Sequence, residues 1–125
     1  MKLVDTSAWV EYLRPGFSEI GDRVESLILG DEVACCDMVL LELCNGARGL
    51  AEKRKLQQMK DTANLLETTP EVWQLAHRLA MLCREKGKTV PATDILIAAC
   101  ASHHQVELEH CDKHFDHLLP LAKAL

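Results

Sequence analysis

The chain has 125 residues, 48% hydrophobic and 26% charged, a composition that suits one globular domain and excludes a disordered or low-complexity segment. Fourteen basic and nineteen acidic residues leave a formal net charge of −5, so bulk electrostatics alone does not announce a nucleic-acid binder. The longest apolar run, residues 95–101, falls far short of the roughly 20 residues of a membrane span, and Asp5 interrupts any signal-peptide segment, so a cytoplasmic protein without membrane association is expected.

Lys2-Leu3-Val4 predicts a short strand ending at Asp5, with Thr6 and Ser7 able to cap the helix that follows. Ala8, Trp9, Tyr12 and Leu13 then recur at helical spacing until Pro15-Gly16 stops them. A second helix is expected over about 18–29, ended by Gly30, and a second strand over 32–36. Asp37 reads as the N-cap of a helix running to about Gly46, followed by a polar, basic helix over about 51–66. Thr69-Pro70-Glu71 opens a helix with Val72, Leu75, Ala76, Leu79, Leu82 and Cys83 on one face, closing near Gly87. Pro91 starts a nearly all-apolar helix through Ala101 that must be buried on most sides. A short strand is expected over 106–108, and a last helical turn or two from Asp112 to Pro120. Strands separated by helices predict an α/β fold, a short central parallel sheet with helices on both faces. Without a repeat, a linker or a composition shift, residues 1–125 read as a single domain. The six cysteines (Cys35, Cys36, Cys44, Cys83, Cys100 and Cys111) form no C-x-x-C pair and are expected as reduced core residues.

Four acids stand where acids are costly or functional. Asp5 follows the first strand, at the edge where open α/β sheets bind ligands, although a helix cap also accounts for it. Glu42 lies inside the apolar stretch 38–44, where a lone ionised carboxylate costs several kcal/mol unless paired; on a helix it shares a face with Asn45 and Gly46. Asp94 opens the most apolar helix, where the helix dipole returns only about 0.3–1 kcal/mol. Asp112 follows the third predicted strand, with Asp116 one turn on, and a surface cap explains either. Two carboxylates 4 Å apart repel by about 4 kcal/mol at an effective dielectric of 20, so such a cluster stays ionised only with cations in it. Oxygen donors without a matching Cys/His set select Mg²⁺ or Mn²⁺, and carboxylate-held divalent ions serve phosphodiester hydrolysis.

Segments 3–9 (LVDTSAW), 41–46 (LELCNG), 91–99 (PATDILIAA) and 111–115 (CDKHF) give the whole chain a pattern of order and spacing that resembles PIN-domain ribonucleases, and among them the VapC toxins of VapBC toxin–antitoxin modules. The resemblance implies a PIN-like fold and Mg²⁺- or Mn²⁺-dependent endonucleolytic cleavage of RNA. The family's four acids fall on Asp5, Glu42, Asp94 and Asp112 as catalytic and metal-holding residues, with Asp116 as an auxiliary ligand and Thr6 or Ser7 assisting near the first acid. It further implies a homodimer, and a heterotetramer or larger assembly with a VapB-type antitoxin that covers the acidic groove and provides any contact with DNA. The chain departs from the family at Cys111, where a hydroxyl residue often precedes the fourth acid; the resemblance therefore supplies no side-chain hydrogen bond there.

Five basic residues (Arg48, Lys53, Arg54, Lys55 and Lys60) against the single acid Glu52 make residues 48–60 locally positive, an RNA-tracking surface or a solvated helix face, with Arg84, Lys86 and Lys88 a weaker second candidate. Trp9 and Tyr12 read as core or dimer-contact residues. His110 and His114, four apart, have a helical spacing that binds zinc adventitiously, and no histidine is required as a general base. The alternative to an enzyme is a non-catalytic PIN-like module that binds nucleic acid or a partner. A phosphoacceptor receiver domain fits poorly, since Asp5 is followed by Thr6-Ser7 and not by a second acid.

Overall fold

The computed structural model describes residues 1–125 as four strands alternating with seven helices. In chain order these are β1 (Lys2–Val4), α1 (Thr6–Leu13), α2 (Glu19–Leu29), β2 (Val33–Cys36), α3 (Asp37–Gly46), α4 (Gly49–Thr62), β3 (Asn64–Leu66), α5 (Pro70–Glu85), α6 (Ala92–His103), β4 (Glu107–Glu109) and α7 (His114–Lys123). All strand pairs are parallel, and the sheet order is β3-β2-β1-β4. The α/β class expected from the sequence, a short central parallel sheet among helices, is the class observed. The chain steps outward from β1 to β2 to β3 and then crosses back to lay β4 on the other side of β1. The strand order therefore reverses between β1 and β4. Right-handed crossovers running in opposite directions put their helices on opposite faces of the sheet.

Burial follows the apolar pattern. All four residues of β2 are buried, as are eight consecutive residues of α6, Asp94 to Ala101. Leu3, Val4, Val39, Val72, Leu79, Ile97, Phe115 and Leu118 are fully inaccessible and sit in one core cluster. Local capping sets where the helices begin. Ser18 accepts from the Gly21 N–H at the start of α2, and Thr69 from the Val72 N–H ahead of Pro70.

Several expected boundaries move, each for a physical reason. Asp5, not Thr6 or Ser7, is the N-cap of α1, and its carboxylate accepts from the Ser7 N–H. Asp37 is the first residue of α3 and not its cap; Cys36 occupies the cap without a side-chain hydrogen bond. The basic helix ends at Thr62, and residues 64–66 form β3, with the Asn64 amide donating to the Val33 carbonyl at 2.9 Å. A three-residue edge strand shows no period of its own, so its apolar residues read as a continuation of the helix. The last strand is shifted by one residue, to Glu107–Glu109. Pro120 lies inside α7 and does not end it: the residue is exposed, so water can solvate the Asp116 carbonyl that lacks its helical donor. Cys44 and Cys111 are exposed, while the other four cysteines are buried as expected.

Ile97 is fully buried at the centre of the helix that carries Asp94. Ile97→Ala leaves a cavity there, and urea unfolding should show a loss of about 2–5 kcal/mol.

Candidate metal centre

The reversal of strand order opens a crevice at the carboxyl ends of β1 and β4, the place where parallel sheets bind ligands. Three elements feed acids into it. Asp5 is the residue after β1, tied to the neighbouring strand through its N–H on the Glu109 carbonyl at 2.9 Å. Asp112 follows β4. Asp94 enters from the first turn of α6, a helix whose other faces are occupied by the core. Asp5 is 3% exposed and Asp94 7%, so both carboxylates are almost fully withdrawn from water.

Each carboxylate is oriented by a short-range contact. One Asp5 oxygen accepts from the Ser7 N–H at 3.1 Å and from the Ser7 hydroxyl at 2.6 Å. The Ser7 hydroxyl in turn accepts from the Cys111 N–H at 3.1 Å, and the Cys111 thiol lies 3.4 Å from the Ser7 carbonyl. The loop after β4 is thus linked to Asp5 through the Cys111 N–H and the Ser7 hydroxyl, so the absence of a hydroxyl at position 111 does not break this relay. Glu42, half-buried on α3, accepts from the Thr6 hydroxyl at 2.9 Å. The Thr6 and Ser7 pair therefore serves two different acids.

Asp94 and Asp112 meet across an imidazole that the sequence did not single out for this place. The Nδ1 atom of His114 lies 3.1 Å from Asp94 Oδ2 and 3.0 Å from Asp112 Oδ1. The ligand atoms of these three residues all fall within 4.8 Å of one another, a spread that one ion can span. His110 is not part of the group. It precedes α7, accepts from the Asp112 N–H through Nδ1 at 3.3 Å and packs on Phe115, so the i, i+4 spacing of His110 and His114 does not lie on a helix and brings no adventitious zinc pair. A local signal for His114 was present in the sequence: a residue two after an aspartate in a turn commonly donates its N–H to that carboxylate, as His114 does at 2.9 Å. Asp116, two residues further along α7, is exposed and outside the group.

Burial first, and then the charges of Asp112 and Asp5, push the Asp94 carboxyl from its ordinary 3.8 up to about 6 against the opposing pull of the His114 contact. The shift means that Asp94 feels both neighbouring carboxylates through a poorly screened interior. Negative charge is therefore concentrated beyond what one imidazole relieves, and the oxygen-rich donor set fits a hard divalent ion.

Beside this corner runs a groove of about 1310 Å³ between α1, α3 and α4. Its floor is apolar, with Trp9, Tyr12, Leu43 and Leu56, while Glu42 and Lys55 carry charge into it. Trp9 is buried with its indole N–H unpartnered, and its ring meets Tyr12 edge-to-face at 6.0 Å. Arg48, Lys53, Arg54 and Lys55 are all exposed, on α4 or at its amino-terminal cap.

A family model described as "PIN domain" matches residues 2–118. The chain is 31% identical over 120 residues to the VapC ribonuclease Mb1587 of Mycobacterium bovis, covering 93% of this chain and 90% of that protein. Among solved structures it is similar to FitAcB from Neisseria gonorrhoeae, with TM-score 0.73, 24% identity and coverage of 98% and 94% of the two chains. It is also similar to VapBC2 from Rickettsia felis bound to a promoter DNA fragment, with TM-score 0.71, 18% identity and coverage of 86% and 84%. At these identities the two structures support the fold.

Because the folded pKa of Asp94 lies above its unfolded value, the native metal-free protein holds an extra proton between pH 3.8 and about 6 and loses stability as pH rises through that window. Asp94→Asn should flatten this slope and raise the metal-free melting temperature at pH 7 by about 3–8 °C, on the order of 1–2 kcal/mol after solvent screening. Thermal unfolding across pH checks it; a lower melting temperature in the variant would show that the His114 contact outweighs the crowding.

Proposed function

We propose that this chain, which belongs to the PIN-domain family and within it to the VapC ribonucleases, is the toxin of a toxin–antitoxin pair and an endoribonuclease dependent on Mg²⁺ or Mn²⁺. The observation that carries this reading is the gathering of Asp94 and Asp112 within reach of one ion, with Asp5 close enough that its charge, added to burial and to that of Asp112, helps raise Asp94 to about 6. In this reading Asp5, Glu42, Asp94 and Asp112 hold the metal directly or through water, with Asp116 an outlying auxiliary. Divalent ions bound there supply activation of water for attack on phosphorus and neutralisation of the charge that develops on the leaving oxygen.

The chain's own residues prepare that chemistry. Ser7 and Thr6 each hold one oxygen of an acid, Asp5 and Glu42 respectively, which sets the direction of the other oxygen. The position of Asp94 is supported by the packed body of α6, so its carboxylate does not swing away when charge crowds it. Arg48, Lys53, Arg54 and Lys55 are proposed to draw the RNA backbone along α4, since Lys55 lines the same groove as Glu42 and a cationic track compensates the net charge of −5.

The groove also supports regulation by an antitoxin. An amphipathic segment of a VapB-type partner laid on Trp9, Tyr12, Leu43 and Leu56 would cover Glu42 and exclude RNA from the acids. The VapBC2 relative was solved as a complex on promoter DNA, which supports DNA contact through the antitoxin here too. Exposed Leu41, Trp73 and Met81 leave apolar surface for a homodimer, and with antitoxin for a heterotetramer or larger assembly.

Asp5→Asn and Asp94→Asn should each reduce cleavage of a structured RNA by at least about 100-fold, EDTA should abolish it, and Mn²⁺ or Mg²⁺ should restore it. The toxin–antitoxin complex should cut more slowly than the free chain. Cleavage that survives EDTA would remove the metal mechanism, equal rates would remove the inhibitor role, and RNA held by the metal-loaded chain but left intact would favour a binding module.

A further inference from the structure

We propose that His114 is a nitrogen ligand of the same metal site and that it biases the site toward Mn²⁺ over Mg²⁺. This assignment rests on the acid-site reading above and adds to it a donor that no carboxylate can replace. Four observations converge on the imidazole. Its Nδ1 atom is the group hydrogen-bonded to the buried Asp94 carboxylate, and at 3.0 Å it reaches Asp112 as well. The three ligand atoms lie close enough together for a single ion with bonds of about 2.0–2.3 Å. The residue is held by its own backbone, since the His114 N–H donates to Asp112 Oδ1 at 2.9 Å. The next residue, Phe115, is fully inaccessible and anchors the start of α7. The backbone that carries the ring is therefore held beside the acids.

Chemistry then sets the preference. Mg²⁺ favours an all-oxygen octahedron and gives up its waters reluctantly, whereas Mn²⁺, which stands between Mg²⁺ and the later metals that imidazole suits best, exchanges a water for a ring nitrogen more readily. A site of carboxylates alone would discriminate weakly between the two ions. A site with the ring included should favour Mn²⁺. The competing role for His114 is that of a hydrogen-bonding spacer, which an entering ion displaces. The two roles give the same distances in the metal-free protein and opposite outcomes once metal is bound.

The metal-free chain would be titrated calorimetrically with MnCl₂ and with MgCl₂, as wild type, His114→Ala and the control His110→Ala. Pulsed electron paramagnetic resonance of the Mn²⁺-loaded proteins would report directly bound nitrogen. The expected result is nitrogen coupling in the wild type and in His110→Ala, and none in His114→Ala, together with a loss of Mn²⁺ affinity of about tenfold or more in His114→Ala and a much smaller loss for Mg²⁺. Mn²⁺ bound without nitrogen coupling in the wild type, or coupling that persists in His114→Ala, overturns the ligand assignment and leaves the acid site standing. Equal losses for both ions overturn the preference. No binding of either ion to the wild type overturns both this assignment and the reading it rests on. The wild-type spectrum decides the question of ligation even if His114→Ala fails to fold.

Discussion

Charge crowding at the one place where the sheet changes direction is the constraint around which the molecule is arranged. An aspartate that is 7% exposed faces two further carboxylates, and burial together with their charges raises its pKa to about 6. In water such groups would drift apart at little cost. Here they cannot, because Asp5 follows the central strand directly and caps α1, Asp112 is fastened by the turn into α7, and Asp94 rides on a helix packed nearly all round. The fold holds the repulsion in place and leaves its relief to an imidazole and to any cation that enters.

Rigid delivery explains why the surrounding structure looks as it does. α6 is the most apolar helix in the chain, and its eight consecutive buried residues begin with Asp94 itself. Such a helix cannot rotate or slide without exposing apolar side chains, so the carboxylate at its first turn has a fixed position. Around it, short hydrogen bonds from Ser7 and Thr6 settle the finer orientation of Asp5 and Glu42. The hydrogen bond from the Cys111 N–H to the Ser7 hydroxyl couples the loop after β4 to the first turn of α1, which follows β1 directly. Packing thus supplies position and polar contacts supply direction.

An acidic chain proposed to act on RNA resolves its electrostatic problem by segregation. The acids are gathered inward at the crevice, whereas Arg48, Lys53, Arg54 and Lys55 stand exposed along α4. Cations at the acids would convert the most negative corner into one that tolerates phosphate, and the α4 residues would add a local attraction that the net charge hides. The apolar floor of the groove alongside is poorly suited to a phosphate backbone and well suited to an amphipathic protein segment. Catalysis and inhibition would then meet at Glu42, which belongs to the groove and is hydrogen-bonded to the residue next to Asp5.

Much of this was legible in the residues. The alternation of short apolar segments with helical periodicities determined an α/β fold, and acids embedded in apolar stretches determined where chemistry should be sought, because isolated buried charge is too costly to retain without a use. The Thr69-Pro70 signal marked the start of α5 correctly, since it acts within three residues, whereas the caps read at Thr6 or Ser7 and at Asp37 fell one or two residues late. What lay beyond the sequence was non-local. Strand β3 exists through its partner β2 and has no period of its own; Pro120 sits within α7 because water can serve the carbonyl its ring leaves unpaired; and His114, grouped by spacing with His110, turns instead toward Asp94, twenty residues away. Local propensity is written in neighbouring residues, whereas the meeting of side chains from different loops depends on the order in which the strands are laid down, which only the folded chain decides.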